Sequence, residues 1–472
     1  MYNGIVKNKS GSKQRLKPLN IIQRGEVKVK MLTFKGGIHP CYYKASTKHA
    51  PITKLIAPKE LIFPMQQHLG APCTPLVTVG EHVKKGQKIA DVEAFISAPI
   101  HASVSGKVIA IEPRMHPNGT KVMSIIIEND GLDTPDHRIT AHPDWENLSP
   151  KQIANIVREA GVVGMGGACF PTHVKLSPPP DKKIEWVIIN GAECEPFLTS
   201  DHRVMLETPE RVTLGLKIML KTFGVKKGYI GIESNKMDAI KVMKAAAAKE
   251  ASIEVVVLQT KYPQGSEKQL IKAITGREVP SGGLPADVGV AVNNIDTCVA
   301  IGRAVMTGKP LTKRVVTVSG DAVGKPANYS VRIGTPMKAL IEESGGFIKE
   351  PKKIIFGGPM MGISQSSLEA PIIKGTSGLL AFTKERAFIP PESPCIRCGR
   401  CVQSCPMNLM PLYLNAFAVR DEIEKTEAYH AADCLECGSC SYACPSKRHL
   451  VETIRVAKHQ IIAQRRAAAA KK

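Results

Sequence analysis

Residues 395–406 read CIRCGRCVQSCP, and residues 434–445 read CLECGSCSYACP. Each stretch spaces its four cysteines as C-x2-C-x2-C-x3-C and ends in Cys-Pro, and the two stretches contain 8 of the 13 cysteines. This spacing lets one turn-rich loop present three thiolates to three irons of a cube, so two copies predict two [4Fe–4S] clusters. A zinc ion favours two separated cysteine pairs, so zinc sites fit the three-plus-one run less well. Disulfides are the other alternative.

The fourth cysteine of each run usually binds the cluster of the other run. We therefore group the predicted ligands crosswise, as Cys395, Cys398, Cys401 and Cys444 for one cluster, and Cys434, Cys437, Cys440 and Cys405 for the other. Because such clusters pass single electrons, the sequence predicts an electron-transfer protein.

The chain has 472 residues, a length that suggests three or four domains. No stretch approaches the roughly 18 apolar residues that would cross a bilayer, and the first thirty residues lack the apolar core of a secretory signal. Clustered thiolates without such a signal indicate a reducing, cytoplasmic compartment.

The formal net charge is +22. Such a charge fits nucleic acid, an anionic membrane face or acidic partners. Only 5% of residues are aromatic and no nucleic-acid-binding motif is present, so we expect no nucleic-acid partner. Residues 1–30 are predicted to be a disordered basic extension and residues 456–472 a basic tail. Both ends fit either frayed, solvated termini or peripheral contact with a membrane or its proteins.

Residues 31–135 are predicted to form a β domain. Between residues 75 and 127, short alternating apolar runs are separated by glycines, a pattern that indicates a compact β sandwich. The pattern resembles the lipoyl or biotinyl carrier domain, a barrel-sandwich hybrid. The position of the carrier lysine reads Glu93-Ala94-Phe95-Ile96. Without that nucleophile the prosthetic arm is expected to be absent, which leaves a docking or structural module.

Residues 140–310 are predicted to form an α/β domain with a mainly parallel sheet, because helices and strands alternate there. Ligands of such sheets lie beyond the carboxyl ends of the strands, and the loop after Asn190 lies at such an end. The predicted elements are helices over 148–160, 210–223 and 235–250, and strands over 186–190, 228–232 and 253–258.

Two smaller domains are predicted to follow. Residues 311–385 combine strands at 314–319 and 353–356 with a helix near 336–344, which fits a β-grasp-like α+β fold. Residues 386–455 carry both cysteine runs, separated by a helical pattern near 410–428.

A glycine-rich loop follows the first helix of the α/β domain. Gly164, Gly166 and Gly167 have no side chains, so backbone N–H groups there can approach a phosphate or a flat ring. Lys175 can supply a cation to that phosphate. Taken alone, the loop fits a plain structural turn equally well.

Four segments in order resemble the flavin-binding subunit of respiratory complex I. They are the GxGGAxFPT-x2-K loop at 164–175, the strand ending in Asn190 with its acidic E-x-E-P turn, Tyr262-x2-Gly265-x-Glu267, and NNIDT at 293–297. The resemblance implies that FMN contacts Gly164, Gly166, Gly167, Lys175, Asn190, Asn293 and Asn294. It also implies a flavin or nicotinamide pocket lined by Glu193, Tyr262, Gly265 and Glu267, with Phe170 near the adenine end of NADH.

The sequence departs from that family at three positions. Cys169 replaces a glycine, Ala192 replaces an aspartate and Ser266 replaces a glutamate. Fewer acids near the flavin are expected to alter its potential and the nucleotide pocket.

Residues 31–455 as a whole resemble the RnfC family, one of the subunits of the Rnf electron-transport complex. The shared features include FKGGIHP at 34–40, QHLGAP at 67–72, the carrier-like domain without its lysine, YPQGSEKQL at 262–270, the β-grasp unit and the two cysteine runs. The resemblance implies an NADH dehydrogenase module, peripheral on the cytoplasmic face of the inner membrane. It would pass electrons from NADH through FMN and two [4Fe–4S] clusters to ferredoxin-like and integral membrane subunits. In that family, electron flow between NADH and ferredoxin drives Na⁺ or H⁺ translocation.

Electron counting agrees with this chemistry. A hydride carries two electrons and each cluster takes one, and a flavin converts between the two. No catalytic acid or base is required, so we predict no catalytic side chain. Two alternatives stay open, namely a soluble flavin and iron–sulfur corrin reductase, and an iron–sulfur scaffold without NADH activity.

Overall fold

The computed structural model describes residues 31–470, with side chains described through residue 468. The predictions for residues 1–30 and for the last two residues therefore lie outside the described part. The described chain contains four β sheets followed by a helical module.

The first domain is a sandwich of two small antiparallel sheets. Phe63, Ile89, Val108 and Ile125 are fully buried between the sheets. This agrees with the predicted sandwich. In spatial order, one sheet contains the strands Glu60–Pro64, Lys121–Asn129, Gly106–Met115 and His82–Val83, and the other contains Thr74–Pro75, Lys88–Asp91 and Ile100–His101.

The chain before Glu60, although inside the predicted 31–135 domain, packs elsewhere. Leu32 lies beside Leu258 and Ile38 beside Tyr262 of the α/β domain. The strand Ile52–Lys54 joins the sheet of the third domain. This segment therefore ties the first domain to two others.

The second domain contains the predicted parallel sheet. Its strands are Ile253–Leu258, Gly228–Glu233, Trp186–Gly191 and Val290–Asn294, in that spatial order. All three pairings are parallel, and Asn294 lies level with Asn190. The carboxyl ends of the strands therefore meet at one edge.

Helices cover both faces of this sheet. The first, Pro150–Glu159, begins with Ser149 and Gln152 in a reciprocal capping box, as its sequence favours. The others are Thr172–Leu176, Ser200–Glu207, Pro209–Phe223, Met237–Ala247, Glu267–Thr275 and Ile295–Thr307.

The third domain is a six-stranded mixed sheet with the helix Met337–Glu343. The edge strand Ile52–Lys54 comes from the segment before the first domain. It pairs parallel with Ala327–Arg332, and Ile52 lies opposite Asn328. In spatial order, the strands are Ile52–Lys54, Ala327–Arg332, Lys313–Ser319, Gly378–Phe382, Lys353–Phe356 and Ile363–Gln365.

The C-terminal module is helical. Its last helix extends well into the predicted basic tail, because Ile454, Ala457 and Ile461 are buried, with Leu414 among their neighbours. Within residues 31–470, no helix has the length and apolar character needed to cross a membrane. The helices from residue 384 onward are Lys384–Ala387, Arg400–Ser404, Pro411–Val419, Ile423–Ala428, Ser439–Ala443 and Leu450–Ala470.

Candidate functional site

The eight cysteines of the two runs line two cavities, four in each. One cavity is lined by Cys405, Cys434, Cys437 and Cys440, and the other by Cys395, Cys398, Cys401 and Cys444. The structure thus brings together the same two groups of four that the crosswise assignment uses. Four converging thiols per cavity are the donor set that a [4Fe–4S] cluster requires.

The two cluster loops repeat one backbone conformation. Arg397 and Glu436, which lie between the first two cysteines of each run, have φ of 54° and 56°. Gly399 and Gly438, after the second cysteine, both have φ of 74° and precede the short helices. Such left-handed residues turn the loop sharply, so that successive cysteines can face one point.

The cysteine side chains influence one another within each cavity. Burial, with smaller contributions from the neighbouring Cys437 and Cys405, raises the pKa of Cys434 to about 11. Burial, with a smaller contribution from Cys444, raises the pKa of Cys401. Because iron binds thiolates, cluster assembly must displace these protons.

The four segments expected to surround a flavin meet at the carboxyl edge of the parallel sheet. Lys175 Nζ donates to Glu267 Oε1 at 2.8 Å and to the carbonyl of Val292, next to Asn293, at 3.2 Å. Asn190 Nδ2 donates to the carbonyl of Gly265 at 2.7 Å. The N–H of Met165 donates to Thr297 Oγ1 at 2.8 Å, so hydrogen bonds connect all four segments.

The glycine-rich loop presents a surface without side chains at this edge. Gly166 and Gly167 are exposed. A Cβ at Gly167 would meet nothing within 4 Å, whereas one at Gly166 would lie 2.9 Å from Asn294 Nδ2. Gly164 is fixed by the hydrogen bond from its N–H to the carbonyl of Phe170, at 2.8 Å. This open backbone, with Lys175 nearby, fits the phosphate or the flat ring of FMN.

Asn294 organises the helix behind the loop. Its Oδ1 accepts from the N–H groups of Asp296 at 2.9 Å and Thr297 at 3.4 Å, which caps the helix Ile295–Thr307. Its Nδ2 donates to Asp201 Oδ2 at 2.6 Å. Burial, with smaller contributions from Glu193 and Asp296, raises the pKa of Asp201 to about 7.

Glu193 and Asn293 direct their side chains away from the open surface. The buried carboxylate of Glu193 accepts from the N–H of Asp201 at 2.7 Å, at the start of the helix Ser200–Glu207. The buried Asn293 amide donates to the sulfur of Met219 at 3.4 Å. In the described structure these two side chains hold the segments in place, so any contact with a ligand would come from their backbone.

Tyr262 connects the α/β domain to one cysteine cavity. It is 1% exposed, and its hydroxyl donates to the backbone carbonyl of Cys437 at 2.8 Å. Ile38, Cys194, Tyr262 and Cys437 form one buried apolar cluster. The sequence predicted Tyr262 beside the flavin, and the structure places its ring between that region and the cysteine cavity.

Two buried lysines, neither of which was predicted as a site residue, donate hydrogen bonds to the loop after Asn190. Lys236 Nζ donates to the carbonyl of Ala192 at 2.6 Å and to the buried Glu233 at 3.4 Å. Lys44 Nζ donates to the carbonyls of Glu193 and Glu195, both at 2.9 Å. Burial lowers the pKa of Lys44 to about 8. No sequence signal distinguishes these two from the many solvent-facing lysines.

Comparison with protein-family models gives four matches. In chain order they are an RnfC barrel sandwich hybrid domain at residues 32–132, a Nuo51 FMN-binding domain at 157–303, an SLBB domain at 315–364 and a 4Fe-4S dicluster domain at 394–447. They confirm the predicted fold class, including the β-grasp-like third domain, and the predicted FMN and two-cluster cofactors.

Two curated relatives match almost the whole chain. The C subunit of the Na⁺-translocating ferredoxin:NAD⁺ oxidoreductase complex of Acetobacterium woodii is 53% identical over 93% of this chain and 99% of its own. The proton-translocating counterpart of Clostridium ljungdahlii is 52% identical over 91% of this chain and 94% of its own. This chain belongs to the RnfC family of ion-translocating oxidoreductase complexes. Among solved structures, a NAD⁺-reducing [NiFe]-hydrogenase is similar at 19% identity, with a TM-score of 0.49 over 70% of this chain and 68% of that chain.

Membership in the RnfC family confirms the resemblance on which the sequence prediction rested. It makes the chain an oxidoreductase subunit that acts with other subunits of a complex. It therefore favours that prediction over a soluble corrin reductase.

Proposed function

We propose that this RnfC chain is the NADH-oxidising subunit of its complex and passes electrons to two [4Fe–4S] clusters and then to membrane subunits. When bound, FMN would accept a hydride from NADH and release its two electrons one at a time. The residues proposed to hold it are those of the glycine-rich loop with Lys175, Asn190 and Asn294. The backbone of Glu193 and Gly265, with Glu267, would border the nicotinamide.

The proposal rests on the direct contact between the α/β domain, where FMN would bind, and the cysteine cavity that contains Cys437. Tyr262 lies in the same segment as Gly265, whose carbonyl accepts a hydrogen bond from Asn190. The hydroxyl of Tyr262 donates to the backbone carbonyl of Cys437 at 2.8 Å. The cavity of Cys437 therefore adjoins the proposed flavin site. We assign that cavity to the cluster that receives electrons first.

The second cavity is suited to passing electrons out of the protein. Cys395 and Cys398 are exposed, and Ile396 between them is 67% exposed. Ferredoxin-like or membrane subunits have room to approach this cluster closely. The coupling of that transfer to Na⁺ or H⁺ movement belongs to the whole complex. We place the chain peripherally on the cytoplasmic face of the inner membrane, with its net charge of +22 favouring an anionic surface.

A flavin-site variant tests the proposal. Gly167→Leu adds a side chain where nothing lies within 4 Å, so the protein itself has room for it but a ligand on the loop does not. We expect the variant to lose bound FMN and NADH-dependent ferricyanide reduction, while retaining the iron of both clusters. Gly119→Leu is the control for adding an exposed side chain, although it carries backbone strain because φ is 89° there.

An unchanged FMN content in Gly167→Leu would place the flavin elsewhere. A wild-type protein with full iron content, no FMN and no NADH oxidation would support the scaffold alternative instead.

A further inference from the structure

The tip of the carrier-like sandwich lies against the glycine-rich loop of the α/β domain. The N–H of Leu69 donates to the carbonyl of Cys169 at 3.2 Å. His173 Nε2 lies 3.1 Å from the carbonyl of Phe95, and the rings of these two residues meet edge to face at 6.2 Å. The position where carriers present a lysine therefore sits beside the proposed nucleotide site.

This tip is held rigidly. The N–H of Ala71 donates to the carbonyl of Ile96 at 3.0 Å, and the backbone of Gly70 packs so closely on Ile96 that any larger residue would clash. Ser97 and Ala98, which follow directly, are fully buried. An aromatic side chain on such a tip loses little conformational entropy when it contacts a ligand.

The tip nevertheless exposes apolar side chains. Phe95 is 67% exposed, Leu69 is 53% exposed and Ile96 is 41% exposed. The backbone contact of Leu69 with Cys169 brings the tip next to the exposed stretch of Gly166 and Gly167. An exposed aromatic ring that packs edge to face on His173 beside the glycine-rich loop is suited to stacking on a base.

We propose that Phe95, from the carrier-like domain, forms a wall of the NADH site and contacts the adenosine half of the dinucleotide. This assignment rests on the proposed function, because it requires NADH at the glycine-rich loop. With the nicotinamide directed at the flavin, the adenine extends past Phe170 and Cys169 toward the tip. The sandwich, which has no carrier lysine, thereby acquires a role as a specificity element.

Equilibrium binding of ADP-ribose tests the assignment, because this probe has the adenosine half of NADH and lacks the nicotinamide. We expect Phe95→Ala to bind ADP-ribose roughly 5-fold or more weakly, the lower end of what one aromatic ring contributes by stacking on a base. Phe95→Trp retains an aromatic face and should restore wild-type affinity. Phe388→Ala is the matched control, since Phe388 is 68% exposed in the segment before the cluster module.

Steady-state kinetics separate positioning from a general loss of structure. Phe95→Ala should raise the KM for NADH with little change in kcat. It should leave the KM for reduced nicotinamide mononucleotide unchanged, because that substrate has no adenine. A tip that only contacts another protein would leave ADP-ribose affinity and both KM values unchanged, which would overturn the assignment. A wild-type protein that neither binds ADP-ribose nor oxidises NADH would overturn the proposed function together with it.

Discussion

At the scale of single residues, buried charge is concentrated where three domains meet. Glu195 lies in the loop after Asn190, and its carboxylate accepts from the N–H groups of Met360 and Met361 in the third domain, each at 3.0 Å. Burial raises the pKa of Glu195 to about 7, against the opposing effect of those two hydrogen bonds. Lys374 similarly joins the sandwich and the α/β domain by donating to the carbonyls of Pro99 and Gly161 at 2.6 and 2.8 Å.

The raised pKa of Glu195 predicts a pH dependence of stability. The folded protein holds this proton up to about pH 7, whereas the unfolded chain releases it near pH 4.3. The free energy of unfolding should therefore fall as pH rises through 7, by about 1.4 kcal/mol between pH 6 and pH 8 from this residue. In thermal melts at the two pH values, the loss of stability at the higher pH should be smaller for Glu195→Gln than for wild type. Equal losses of stability in Glu195→Gln and wild type would contradict this account. A smaller loss in the exposed control Glu343→Gln would contradict it as well.

Some residues of the candidate site could be predicted from the sequence, and others could not. The spacing of the cysteines predicted the two groups of four that line the two cavities, and a motif predicted Lys175, which lies at the carboxyl edge of the sheet. Sequence reasoning missed Lys44, Lys236 and Lys374, because burial of a lysine depends on carbonyls contributed from distant segments. It placed Glu193 in the pocket from the motif, but the carboxylate caps a helix whose position the sequence alone does not specify.

At the scale of elements, periodicity and capping predicted three of the four strands and three of the seven α-helices that the structure describes in the α/β domain. The strand at 253–258 and the strand at 353–356 were predicted with the bounds that the structure has. The strand Ile52–Lys54 was not predicted, because three residues carry no periodic signal and its partner, Ala327–Arg332, lies far along the chain. The sequence predicts one helical pattern near 410–428, whereas the structure has two helices there, Pro411–Val419 and Ile423–Ala428.

The crosswise grouping of cysteines predicts a specific pattern of iron loss. Cys405→Ser and Cys434→Ser should each remove the same cluster, so the double variant should lose no more iron than either single variant. Cys405→Ser combined with Cys401→Ser should remove both clusters, although each change alone removes one. Iron content per chain and EPR of the reduced proteins measure this directly. Ligation within each run would reverse both results: Cys405→Ser and Cys401→Ser would remove the same cluster, and Cys405→Ser combined with Cys434→Ser would remove both.

At the scale of the whole molecule, the sandwich contacts the α/β domain, and the α/β domain contacts the C-terminal module. The carrier-like tip meets the glycine-rich loop through Leu69 and Phe95, and Tyr262 joins the α/β domain to Cys437. The sequence predicted the domains in order but not these contacts, because each depends on how separate domains pack. The short segment around Gly36 strengthens the last contact, since a Cβ at Gly36 would lie 2.8 Å from the carbonyl of Cys405.

The measurement that most directly tests the central claim is an anaerobic NADH titration of the reconstituted wild-type protein, followed by visible absorption and EPR. The relay predicts that the flavin band and the broad iron–sulfur absorption both bleach, with EPR signals from reduced clusters. Bleaching of the flavin alone would contradict the contact path through Tyr262. Intact iron–sulfur absorption with no flavin and no response to NADH would contradict the NADH-oxidising function.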